Sequence, residues 1–170
     1  MSLHHRSPAS AGFTLIEVLI YISILVLVSV AGVTTLISFS DILADQKTNR
    51  LLTQTAHTAL ERMVREVRNA ESVDVLGSTL EDRNGVLELD TPNGAVLFSE
   101  SGGALELAVG SDPAVTLVDG DVTVDGLWFY HYPNSETELV RIKLSVTATT
   151  GERSKSAEFY AGAVLRGSYE

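Results

Sequence analysis

One acid stands where acids are rarely found. Glu17 is the only charged residue in the 27 positions from Phe13 to Phe39, which read FTLIEVLIYISILVLVSVAGVTTLISF. A carboxylate in such a stretch costs a few kcal/mol on insertion scales and marks a functional position by default. It becomes favourable in apolar surroundings only when a cation and further hydrogen bonds accompany it. The bland alternative is a glutamate close to a membrane interface, reaching for water. Tyr21 reads as an interfacial aromatic. Immediately before the stretch lie four small residues, Ala9, Ser10, Ala11 and Gly12.

Other chemistry is thinly represented. The sequence lacks GxSxG, HExxH, P-loop and GxGxxG patterns, so no common catalytic motif is present. His4 and His5 fall in the first dozen residues, and His57 and His131 read as ordinary, partly buried side chains. Asp112, Asp119, Asp121 and Asp125 are oxygen donors of the type calcium takes. Of these, Asp119 and Asp121 are the best candidates. Their spacing matches no EF-hand, and Asp-Gly pairs also serve hairpin turns. The expectation is therefore no cofactor, with calcium as the single alternative. Trp128, Phe129, Tyr130 and Tyr132 alternate along one strand, so that one face enters the core and the other is left for contact. Arg62, Arg65 and Arg68 form the one dense basic group and read as a solvated helix face near a helix C-terminus.

Composition narrows the classes further. Twelve Lys and Arg against 22 Asp and Glu give a net charge of -10 over 170 residues. Phosphate binding needs a positive field, so the balance argues against nucleic acid as a partner. There is no cysteine, which excludes disulfides, thiolate metal sites and cysteine nucleophiles.

The elements that position these residues are set by the hydrophobic pattern. The apolar run would extend about 40 Å as a helix, longer than a bilayer core requires. An ordinary secretory signal has a shorter apolar region with its small residues after it. Here they come first, so a cut among them would leave the helix on the mature chain. Arg6 precedes the run, and Asp41 and Asp45 lie beyond it. That asymmetry places the N-terminus in the cytoplasm and the rest outside. Beyond the run a helical period persists: Leu52, Ala56, Leu60, Met63, Val67 and Ala70 form one stripe, supported by the (i, i+4) pairs Glu61–Arg65 and Arg62–Glu66. No proline falls between Phe13 and Ala70. One helix of about 55 residues is predicted, with Gly32 as its weakest point. Strands are predicted over 86–89, 95–99, 104–109, 115–118, 122–124, 127–132, 139–148 and 156–164, with Asp125-Gly126 as a turn between two of them. Short turns and no further helices predict one antiparallel sheet covered by the Leu52–Val67 stripe. The fold class is α+β.

The sequence Gly12-Phe13-Thr14-Leu15-Ile16-Glu17 before an uncharged span resembles the class III signal of type IV pilins and type II secretion pseudopilins. The resemblance is sharp to about residue 40 and architectural beyond it. It implies cleavage between Gly12 and Phe13 by prepilin peptidase, N-methylation of Phe13, and an assembly role for Glu17, the fifth mature residue. Such a cut would create a cationic amine four residues before Glu17, and pairing between one subunit's amine and a neighbour's Glu17 would set the register of a new subunit. Many major pilins interrupt this helix with proline. Its absence here, with the arginine-rich TALERMVREVRNAESV, is similar to minor subunits of the J or W type.

The organisation expected is thus a leader over 1–12, a membrane and assembly helix over 13–40, its amphipathic continuation over 41–70 and a β-rich head over 71–170. The function expected is a non-enzymatic, minor structural subunit of a pilus (fimbrium) or secretion pseudopilus. It would sit in the cytoplasmic membrane with its head outside before joining a fibre of other pilin or pseudopilin subunits. Two alternatives are a fibre-tip module for adhesion or DNA uptake and a membrane-anchored enzyme with an uncleaved signal.

Overall fold

The computed structural model describes residues 14–118, 120–134, 137–151 and 153–166. Gly12, Phe13 and Asp119 lie outside them, as do the leader residues. The chain divides into two units, one ending at Leu43 and one, the head, beginning at Ala44. The architecture is α+β and pilin-like: one long helix, then antiparallel sheets.

Helix α1 runs from Leu15 to Asn69, 55 residues. Its first half is rich in Val and Ile, which in water favour strands. A lone apolar segment in lipid has no partner strand, and only a helix satisfies its backbone internally. Thr14 caps it: its carbonyl accepts from the Glu17 and Val18 N–H groups, and its Oγ1 lies 3.3 Å from the Glu17 nitrogen. Four hydroxyls along this half, those of Ser23, Thr34, Thr35 and Ser40, are turned back onto their own helix. Ser23 donates to the Leu19 carbonyl at 2.8 Å, Thr35 to Ala31 at 2.8 Å and Ser40 to Leu36 at 3.1 Å. Such i−4 bonds remove the donors from the apolar surface.

Within the head, the second half of α1 buries Leu52, Ala56, Leu60, Met63 and Val67, the expected stripe. Of the two expected ion pairs on this helix, Arg62–Glu66 closes at 2.8 Å. The stripe packs into one core with residues from two sheets. The first sheet is a meander: β1 (Ser72–Val73), β2 (Leu87–Thr91), β3 (Gly94–Ser101), β4 (Ala104–Val109) and β5 (Val115–Val118), each paired antiparallel with the next. The second comprises β6 (Val122–Pro133), β7 (Glu138–Thr150) and β8 (Arg153–Val164), also antiparallel. The turn between β3 and β4 is Gly102-Gly103 with φ of 60° and 85°, a two-residue loop whose positive φ values suit glycine.

The head departs from the sequence expectation in two ways. A single sheet was expected, and the described residues form two. The edge of β6 is occupied by a strap rather than by β5: Leu127 N–H donates to the Arg83 carbonyl and Gly85 N–H to the Leu127 carbonyl, both at 2.8 Å, and Glu81 N–H donates to the Phe129 carbonyl at 2.9 Å. With that edge taken, the ladder cannot continue from β5 into β6. Gly85 is required by this contact, since a Cβ there would lie 2.6 Å from the Leu127 oxygen. Second, Asp125-Gly126 is not a turn. The segments on either side of it both pair with β7, and the register shifts between Val124 and Gly126. A bulge accommodates one extra residue without reversing the strand. Asp125 uses that freedom to accept from the Thr147 hydroxyl at 2.6 Å. Strand β1 was not expected at all, because two residues carry no period.

Met63 is fully buried and Val33 is exposed. Met63→Ala should therefore destabilise the head by about 2–5 kcal/mol, and Val33→Ala should leave it unchanged. Urea unfolding of the full chain in detergent, followed by the fluorescence of the single tryptophan, checks this; equal midpoints would contradict the core assignment.

Candidate functional site

The candidate site is the start of α1. From Leu15 to Phe39 the large apolar side chains are exposed on every side of the helix, Leu15 at 82% and Leu27 at 71% among them. α1 is the one helix among the described residues long and apolar enough to cross a membrane. An exposed surface of this kind in water would be a severe liability, and a helix apolar all round belongs in lipid or among other helices.

Glu17 is placed in the first turn of this helix. The Thr14-x-x-Glu17 spacing is that of a capping box, in which the acid would reach back to the N–H of the cap residue. Only half the box is made. The Glu17 backbone contacts Thr14, but its carboxylate Oε1 accepts a hydrogen bond from the Tyr21 hydroxyl at 3.1 Å. Glu17 is consequently half-buried while Ile16 and Val18 are exposed. Reading Tyr21 as an interfacial aromatic overlooks this bond. A signal for it is present in the sequence: an acid and a phenol at i and i+4 are neighbours on a helix.

The other candidate residues do not converge on one site. His57 was expected to be partly buried and is exposed, its ring set edge-on against Phe159 at 5.6 Å. That position on the polar side of the stripe explains the difference. His131 is half-buried, with Nε2 3.2 Å from Glu138 Oε2; its neighbour is a carboxylate, not a nucleophile. Asp121 is exposed, and the Asp125 carboxylate is engaged by Thr147. Among the described residues no three acids or histidines gather as a metal site would require. Arg65 and Arg68 are exposed as expected, whereas Arg62 is half-buried. Beside Arg62, Leu107, Val109 and Val115 line a cleft of about 270 Å³.

The aromatic strand divides as its alternation predicts. Phe129 is fully buried, and Trp128 and Tyr130 lie on the opposite face. Across that face the register aligns Trp128, Lys143 and Tyr160. Lys143 Nζ lies 4.5 Å from the Trp128 ring centroid and 2.8 Å from Glu158 Oε1. Tyr160 donates its hydroxyl to Glu158 Oε2 at 2.7 Å, and Arg141 lies over the Tyr160 ring at 5.4 Å. The face is therefore a network in which Lys143 and Tyr160 both engage Glu158, with Arg141 stacked on the Tyr160 ring. The Lys143 hydrogen bond, and after it that of Tyr160, holds Glu158 below its ordinary value. The Glu158 bond in turn raises both Lys143 and Tyr160.

Residues 8–33 match the family model described as the prokaryotic N-terminal methylation motif. Neither a curated protein nor a solved structure matches the chain. The matched stretch contains Gly12, Phe13, Glu17 and Tyr21 and ends inside the exposed apolar part of α1.

The network predicts a pH profile. A depressed Glu158 adds stability above its ordinary value of 4.5, and this is lost as pH falls through the folded value. Raised Lys143 and Tyr160 add stability below their ordinary 10.5 and 10.0, and this is lost as pH rises through their folded values. The groups are open to solvent, so the effect is small. In thermal melts across pH, Glu158→Gln should flatten the acid limb of the head; a variant with the parent's limb would show that this network does not contribute to it.

Proposed function

We propose that this chain is a prepilin-like structural subunit, cut between Gly12 and Phe13 by prepilin peptidase, N-methylated at Phe13, and assembled through its apolar helix into a pilus or pseudopilus fibre. The observation that carries the reading is the methylation motif over residues 8–33, which leads into a helix with an uncovered apolar surface and one acid. Neither feature alone would suffice. An apolar helix is also a plain anchor, and a short motif does not by itself specify the helix beyond it. Together they favour a chain that resides in lipid and later exchanges lipid for the helices of other subunits.

Glu17 supplies the selectivity in this reading. Cleavage would create a cationic amine on Phe13, and a neighbour's Glu17 is the group that such an amine lacks. Breaking a buried pair by removing one partner is strongly destabilising. The charge order, Arg6 before the span and Asp45 after it, supports an N-terminus inside and a head outside the cytoplasmic membrane. The uninterrupted span and the arginine-rich end of α1 favour a minor subunit of the J or W type over a major one. The satisfied network on the Trp128 face favours a structural head over an adhesive or catalytic one.

Intact-mass measurement of the protein from a host with working prepilin peptidase tests the processing. A chain beginning at N-methyl Phe13 is expected, and a chain retaining its first 12 residues would overturn the reading. Glu17→Ala should be processed and retained in the membrane, yet lose about a hundredfold or more in fibre incorporation, the scale set by an unpaired buried charge.

A further inference from the structure

We infer that Tyr21 is the positioning residue of the assembly acid: its phenol holds the Glu17 carboxylate away from its own chain's N-terminus and leaves it available to a second subunit. This role rests on the proposed fibre function and adds a residue that the function alone does not require.

Helical side chains tilt toward the N-terminus. Left to itself, Glu17 would lean back along α1, and the capping-box spacing from Thr14 would reward that with the Thr14 N–H. In the processed chain the new amine would belong to Phe13, four positions before Glu17 in the sequence. An acid engaged there would be neutralised within its own subunit and would have little left to recruit another.

The observed contact opposes this. The hydroxyl of Tyr21 donates to Glu17 Oε1 at 3.1 Å from the C-terminal side, and no second bond carries the carboxylate back to Thr14 N–H among the described residues. Tyr21 itself tilts toward the N-terminus, as i+4 residues do, and so covers Glu17. Oε1 is occupied by a neutral donor, while Oε2 has no partner among the described residues. A phenol suits this task better than a cation would. It satisfies an acceptor in lipid, where an unsatisfied polar group is costly, and it leaves the charge of the acid uncancelled for the incoming amine. The hydroxyls of Ser23, Thr34, Thr35 and Ser40 are by contrast all directed to backbone carbonyls. Tyr21 differs from them in serving a side chain.

Tyr21→Phe removes the hydroxyl and keeps the ring, so insertion and helix packing are preserved. Membrane level and N-terminal processing should match the parent by quantitative mass spectrometry, while the share of processed chain recovered in fibres should fall about tenfold, the scale of one hydrogen bond to a charged group. A Glu17→Gln background supplies the control. There Tyr21→Phe should change recovery far less, because the two residues act as one unit. An equal loss in both backgrounds would overturn the inference, since it would assign Tyr21 a packing role only. Parent-like assembly of Tyr21→Phe alongside a defective Glu17→Ala would overturn the inference while leaving the fibre reading standing. An intact leader on the parent would overturn both.

Discussion

The structure depends on a single constraint: one unbroken helix must satisfy two different surroundings along its length. From Leu15 to Phe39 it exposes apolar side chains in every direction, and from Leu52 to Val67 it buries a single stripe. The first part can remain helical without any packing because its backbone bonds are internal and the hydroxyls of Ser23, Thr34 and Thr35 are folded back onto its own carbonyls. The second part could not persist that way. It is polar on one side and needs the sheets to cover the other, since most helical stability in water comes from tertiary packing.

The head is built to accept that stripe rather than to stand as a single sheet. The strap over residues 81–85 bonds to the edge of β6 and closes it to β5. The joint depends on Gly85, where a side chain would collide with the Leu127 carbonyl. Both sheets then contribute to one core with Met63 and Val67. At the far side, Arg153 at the start of β8 bonds Asp45 on α1 at 2.5 Å. That pair ties the β7–β8 hairpin to the helix, although an exposed ion pair adds little stability by itself.

The features legible from residues alone divide from the rest along physical lines. The length of α1 was legible to within a residue or two, because proline is absent and the 3.6-residue period is sustained. Six of the eight strands among the described residues were recognisable as separate apolar runs with turn residues between them. The merger of two expected strands into β6 was not, because Asp-Gly reads the same whether it reverses a chain or makes a bulge. Only the partner strand decides, and Thr147 on β7 is what holds Asp125 in place. The split into two sheets was hidden for a related reason: it depends on the long-range bonds of residues 81–85, which carry no local signature. In the candidate site, Glu17 stood out as a lone charge. Its link to Tyr21 was hidden because an aromatic near the end of an apolar span already has a sufficient explanation as an interfacial residue.

That contrast between Glu17 and its surroundings bears on how such a helix could find its place among others. Contacts between apolar helices in lipid have little directional preference, because the tails are as apolar as the side chains. A span made only of Val, Ile and Leu could therefore slide along a neighbour at little cost. A lone carboxylate changes this, since displacing it from its partner strands a charge. In the proposed assembly the apolar surface accounts for the helix remaining in the membrane or the fibre core, and Glu17 accounts for where along its neighbour it stops. The two roles are separable in the sequence. In that proposed assembly the apolar residues would be interchangeable as long as the stretch remained long and uncharged, whereas the acid would work only at a fixed distance from the amine it meets.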